Sequence, residues 1–91
     1  MVTSIILINT ARKKINNVAE ELADIEGISE VYSVSGKYDL IAIVRAKSND
    51  DLADLVTTKM LNMKGIEKTE TMLAFKAFSR HDLERMFNVG M

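Results

Sequence analysis

The chain has 91 residues, 47% of them hydrophobic and 27% charged, and a formal net charge of −1. That is enough apolar material for one core and too little chain for two, so one domain over residues 1–91 is expected; the near-neutral charge gives no reason to bind a polyanion, and nucleic acid is disfavoured as a direct partner. There is no cysteine, which excludes disulfides and thiolate metal sites.

Residues 2–8 read as a first strand. Ile5, Ile6, Leu7 and Ile8 are consecutive large aliphatics, which suits a strand buried on both faces. Arg12, Lys13 and Lys14 follow soon after, so neither a signal peptide nor a membrane span is read here, and a cytoplasmic location is expected. Asn9 and Thr10 are turn and cap types. Ile15, Val18, Ala19 and Leu22 then fall at i, i+3, i+4 and i+7, the stripe of an amphipathic helix that Gly27 ends. Residues 28–35 read as a second strand, Gly36-Lys37 as a turn, and Asp39 to Ala46 as a third strand completing a hairpin. Ser48, Asn49 and Asp50 supply N-cap chemistry for a second helix, with Leu52, Leu55, Val56 and Met60 on one face and Gly65 closing it. Residues 66–78 read as a fourth strand. Ser79 is placed to cap a short terminal helix, with Leu83, Met86 and Phe87 on one side.

The order β-α-β-β-α-β plus a small helix predicts an α+β, ferredoxin-like fold: a four-stranded antiparallel sheet with two helices on one face. An internal echo supports it. Ile25-Glu26-Gly27-Ile28 and Met63-Lys64-Gly65-Ile66 stand 38 residues apart, and at the same offset Val18 meets Val56, Leu22 meets Met60 and Ile5 meets Ile43. Two βαβ halves produce such an echo. Helices on one face leave the other bare, yet the first and third strands are apolar on both faces. The bare face is therefore expected to meet another subunit, in a dimeric α/β-barrel-like assembly through the sheets.

A catalytic constellation is hard to find. The single histidine, His81, sits in a charged stretch between Arg80 and Asp82 and reads as a solvated surface residue. The glycines at 27, 36, 65 and 90 are too scattered for a phosphate loop. Glu20-Glu21 and Asp50-Asp51 are neighbours on helices and point about 100° apart, so they form no carboxylate dyad. No catalytic residue, metal or cofactor is expected. Two places remain informative. In the hairpin Val34-Ser35-Gly36-Lys37-Tyr38-Asp39, the glycine permits positive φ, turn amides can serve as donors to a carboxylate, Tyr38 offers a flat wall, and Asp39 can accept from an ammonium group or hold the turn itself. An ordinary hairpin turn would look the same. In Thr69-Glu70-Thr71, the two hydroxyls share one face of the fourth strand, for ligand binding or for β-propensity alone. Lys37 and Glu70 are candidates to bias a pocket by charge, or to point to solvent.

These residues together resemble a known family. Gly27-Ile28, the 34–39 hairpin with Leu40 after it, and Gly65-Ile66 followed by Thr69-Glu70-Thr71 look like the effector domain of the Lrp/AsnC transcription regulators, often called the RAM domain. The resemblance runs from about residue 2 to residue 78. Full-length members carry an N-terminal helix-turn-helix domain, whereas this sequence starts on the first effector strand and resembles the stand-alone form. The resemblance implies a homo-oligomer, a sheet dimer assembled into a ring such as an octamer, with a small amino acid effector bound between subunits. It implies ligand-binding roles for Gly36, Tyr38, Asp39, Thr69 and Thr71. Full-length Lrp/AsnC-type regulators are possible partners, and no membrane or direct nucleic acid contact is implied. Two other readings stay open: an effector-free assembly module docking on such regulators, and a small dimeric ferredoxin-like enzyme.

Overall fold

The computed structural model describes residues 1–78 and Arg80. Its elements are β1 (Val2–Thr10), a 3-10 turn at Arg12–Lys14, α1 (Ile15–Ala23), β2 (Ile28–Ser33), β3 (Leu40–Ala46), α2 (Asn49–Asp54) continuing as a π-helical turn through Leu55–Met60, and β4 (Ile66–Ala74). The sheet order is β2-β3-β1-β4, and every neighbouring pair is antiparallel. This is the ferredoxin-like arrangement that the periodicity predicts.

Alternation along β1 shows which face is covered. Ser4, Ile6, Ile8 and Thr10 are buried, while Thr3, Ile5, Leu7 and Asn9 between them are half-buried. In β3, Leu40, Ala42, Val44 and Ala46 are buried in the same alternation. The buried set clusters with Val18 and Leu22 of α1 and with Leu55 and Met60 of the second helix, so both helices pack on one side of the sheet. The predicted helical stripes are the stripes that pack: Ile15 and Ala19 flank α1's contact, and Leu52 and Val56 flank the second helix's. Ser48 caps α2 by accepting from the Asp51 amide at 3.1 Å.

Among the described residues nothing covers the opposite face. Ile5, Leu7, Ile41 and Ile43 pave it, Tyr32 is 48% exposed and Met72 44% exposed. Directly paired residues share a face, which places Tyr32 beside Ile41 and Met72 beside Ile5 on this surface.

Several expected boundaries move. The fourth strand ends at Ala74 rather than at residue 78, because Ala74 pairs with Thr3 and β1 has almost run out there; Phe75 and Phe78 beyond it are exposed. Thr10 belongs to β1 instead of capping a helix, and Ala11 enters the next turn, donating its amide to the Gly65 carbonyl at 2.8 Å. α1 stops at Ala23, and Gly27 instead shapes the turn into β2 with φ of +102°. The expected Gly36-Lys37 turn is a longer connection, bridged by the Val34 amide on the Asp39 carbonyl at 3.1 Å. The expected terminal helix with Ser79 as its cap lies outside the described residues.

Leu22 is fully buried between α1 and the sheet. Leu22→Ala should lower unfolding free energy by about 2–5 kcal/mol in urea titration. Glu20→Ala, on the exposed side of the same helix, should stay within about 0.5 kcal/mol of the parent.

Candidate functional site

The connection between β2 and β3 is tied to the end of β1 by three bonds. The Asp39 amide donates to the Ile8 carbonyl at 2.9 Å. The Asp39 carboxylate oxygen Oδ2 accepts from the Thr10 amide at 2.8 Å. Asn9 Nδ2 donates to the Lys37 carbonyl at 2.8 Å. The hairpin is thus held as a rigid projection of the central strand. Asp39 acts as the turn holder through one oxygen, one of the two roles that its position suggests.

Gly36 stands at the tip with φ of +108°, and a Cβ there would meet nothing within 4 Å. Glycine is needed here for backbone conformation, not for room. Among the described residues, the amides of residues 35–38 donate to no protein acceptor. A projecting turn with free amides can receive an anion such as a carboxylate.

Tyr38 leaves the hairpin towards β4, where its hydroxyl donates to the Glu70 carboxylate. This bond joins residues 32 positions apart and ties the hairpin to the sheet edge. The carboxylate also holds the Tyr38 hydroxyl above the usual tyrosine range, chiefly by accepting its proton in a hydrogen bond and further by desolvation and by its own negative charge. Tyr32 is raised in the same sense, first by its hydrogen bond to Glu30 at 2.6 Å.

The threonines lie elsewhere. Thr69 pairs with Ile8 and Thr71 with Ile6, both buried on the helix side, whereas Glu70 pairs with Leu7 on the bare side. The register therefore points the two hydroxyls away from the face that Glu70 occupies. The structure brings Gly36, Tyr38 and Asp39 together at one sheet end. No hydrogen bond among the described residues joins Thr69 or Thr71 to them.

Two contributors were not assigned these roles from sequence. Glu70 reads there only as a possible charge bias, and Asn9 only as a turn residue. Their partners are 32 and 28 positions away, so no local pattern announces them. Thr10 adds a third feature: it is 5% exposed, and its Oγ1 finds no hydrogen-bond partner among the described residues.

The four-stranded antiparallel sheet with both helices on one face and a projecting β2–β3 hairpin defines a ferredoxin-like α+β module. The chain belongs to the Lrp/AsnC ligand binding domain family, whose pattern matches residues 3–83. An uncharacterized HTH-type transcriptional regulator of Pyrococcus furiosus is 38% identical over 58 residues, covering 64% of this chain and 39% of the regulator. The chain thus spans well under half the length of that curated relative. The crystal structure of TTHA0845 from Thermus thermophilus superposes with a TM-score of 0.83 at 42% identity, covering 88% of this chain and 100% of that one. A Neisseria meningitidis transcriptional regulator solved as an L-Met complex shares the fold alone, with a TM-score of 0.79 at 10% identity over 97% of this chain and 58% of its own.

Two outcomes are expected. The chain has two tyrosines, so in Tyr32→Phe the alkaline absorbance titration reads Tyr38 alone. It should titrate above about 10, the free value, and Glu70→Gln should bring it down. The sign follows from a raised folded-state value: the clasp's contribution to stability is complete below the unfolded value and is lost as pH rises through the folded one. Thr10→Val, which removes the unpartnered hydroxyl at nearly constant shape, should raise unfolding free energy by about 1 kcal/mol in urea titration.

Proposed function

We propose that this chain senses a small amino acid, bound at the 34–39 hairpin and completed by a second copy of the chain. The observation that carries this reading is the placement of the motif residues: Tyr38 and Asp39 cluster at the hairpin, while Thr69 and Thr71 point from the other side of β4. Within one subunit the register puts the two hydroxyls on the side of β4 opposite Glu70, which Tyr38 reaches. In this reading the two sets meet only across a contact between subunits.

In this reading the free hairpin amides take the ligand's carboxylate. The oxygen of Asp39 not engaged by Thr10 accepts from its ammonium group. Hydroxyls of Thr69 and Thr71 from a neighbouring copy complete the site. The bare face paved by Ile5, Leu7, Ile41 and Ile43 supplies a dimer interface, since contiguous apolar surface of this kind is unusual on a monomer. A homo-oligomer of such dimers, up to the octamer, would bring hairpins together. The role is regulatory and not enzymatic, supported by membership in a family of regulator domains. The L-Met complex of the distant Neisseria regulator is in keeping with an amino acid effector. A single domain over residues 1–91, a cytoplasmic location and modulation of full-length Lrp/AsnC-type regulators belong to the same proposal.

A ligand of this size makes few contacts, so Kd should lie between micromolar and millimolar, about −8 to −4 kcal/mol. Because only the assembled form offers a complete site, occupancy should favour assembly. Calorimetry with each amino acid, paired with light scattering, should find one or a few that release heat and increase the mass. Thr69→Val with Thr71→Val should weaken that binding by about tenfold while leaving the fold unchanged. No heat and no mass change with any amino acid would instead favour the effector-free assembly module.

A further inference from the structure

The hairpin marks one end of the sheet, and a cleft of about 410 Å³ opens at the other. The nine residues of β1 separate the two ends by roughly 30 Å at about 3.4 Å per residue. The cleft's volume lies within the usual span of small-molecule sites, about 300–1,000 Å³.

Its floor is apolar and close-packed. Gly27, Ala46 and Leu55 line it, and a Cβ on Gly27 would stand 2.8 Å from Leu55 Cδ1. Any other residue at 27 would push Leu55 away and deform the floor, besides being strained at φ of +102°. The second helix changes to π geometry at Leu55, with the Leu61 amide reaching back to the Val56 carbonyl at 3.2 Å. Leu55 and Lys59 from this wide turn both face the cleft. Single π turns concentrate at functional positions in helices.

The walls carry both signs of charge. Arg45, Lys47 and Lys59 are the cations, and Glu26, Asp51 and Asp54 the anions. Three of each around an apolar floor match a small molecule that is cationic at one point and anionic at another.

The internal repeat relates the two ends of the sheet. Gly27 and Gly65, 38 positions apart, both have positive φ, +102° and +98°. Each packs on the helix of the opposite half, Gly27 against Leu55 and Gly65 against Val18. At this offset Met1 of the cleft corresponds to Asp39 of the hairpin end, and Lys47 to Asn9. Gly27 and Leu55 of the cleft likewise map onto Gly65 and Asn17, so its counterpart lies where β1 ends beside α1 and not on the 34–39 hairpin itself.

We propose that this cleft is a second binding site, for the zwitterion of a free amino acid with a small apolar side chain. The cations Arg45, Lys47 and Lys59 receive the carboxylate, the acids receive the ammonium group, and the side chain lies on Ala46 and Leu55. This site is independent of the hairpin and uses none of its residues.

The test is a nuclear magnetic resonance titration of the full chain with L-alanine and L-leucine, read at each backbone amide. Saturable shifts are expected at Gly27, Arg45 and Lys59. Lys59→Met and Asp54→Asn, both exposed positions, should each weaken the cleft response by about tenfold, the loss of one charge-assisted contact, while leaving the hairpin response unchanged. Equal shifts with sodium acetate or with ethylammonium alone would overturn the proposal, since either half of the zwitterion would then suffice. Shifts confined to residues 34–39 would also overturn it while leaving the hairpin reading standing. Shifts confined to the cleft would do the reverse.

Discussion

β1 divides its backbone hydrogen bonds between two neighbours, with β3 along one edge and β4 along the other. Its side chains alternate just as strictly between a face sealed by helices and a face that no other described residue covers. A strand in that position must be apolar on both sides, and Ile5, Ile6, Leu7 and Ile8 are the sequence's answer. The same strand ends in the two residues that hold the hairpin: Asn9 anchors the Lys37 carbonyl and Thr10 donates to Asp39. Core, bare face and hairpin are therefore registered on one element. A slip of one residue in β1 would exchange the buried and bare sets and detach the hairpin together.

The fold was readable because its signals are local and periodic. The stripes Ile15, Val18, Leu22 and Leu52, Leu55, Met60 reach the core as helical spacing demands, and the unbroken apolar runs are the two central strands. Boundaries were harder wherever a distant partner decides them. β4 stops at Ala74 because only Val2 of β1 lies beyond its partner Thr3, a fact absent from residues 75–78 themselves. Thr10 resembles a cap in isolation, yet pairing with Ile66 keeps it in the strand.

The candidate site was readable by residue type more than by geometry. Gly36, Tyr38 and Asp39 do gather at one place, but the period of two along β4 sends Thr69 and Thr71 to the side opposite Glu70. No spacing rule shows that Tyr38 would choose Glu70 or that Asp39 would turn back on Thr10, since both contacts close long loops. The cleft at the far end was less visible still. Its walls come from the start of β1, the turn before β2, the end of β3 and the second helix, each unremarkable when read alone.

The pairing of β1 with β4 also bears on the order in which the molecule assembles. Ser4 Oγ donates to the Met72 carbonyl at 2.9 Å across 68 positions of sequence, whereas β2 and β3 are joined by a short connection. Closing the longer loop costs more chain entropy, so the hairpin forms ahead of the final strand. Until β4 docks, Tyr38 has no Glu70 to hold it. The hairpin's clasped shape is then a late event in folding, and fraying of this edge strand would release it before the core gives way, a sequence of events that amide exchange would register first in β4.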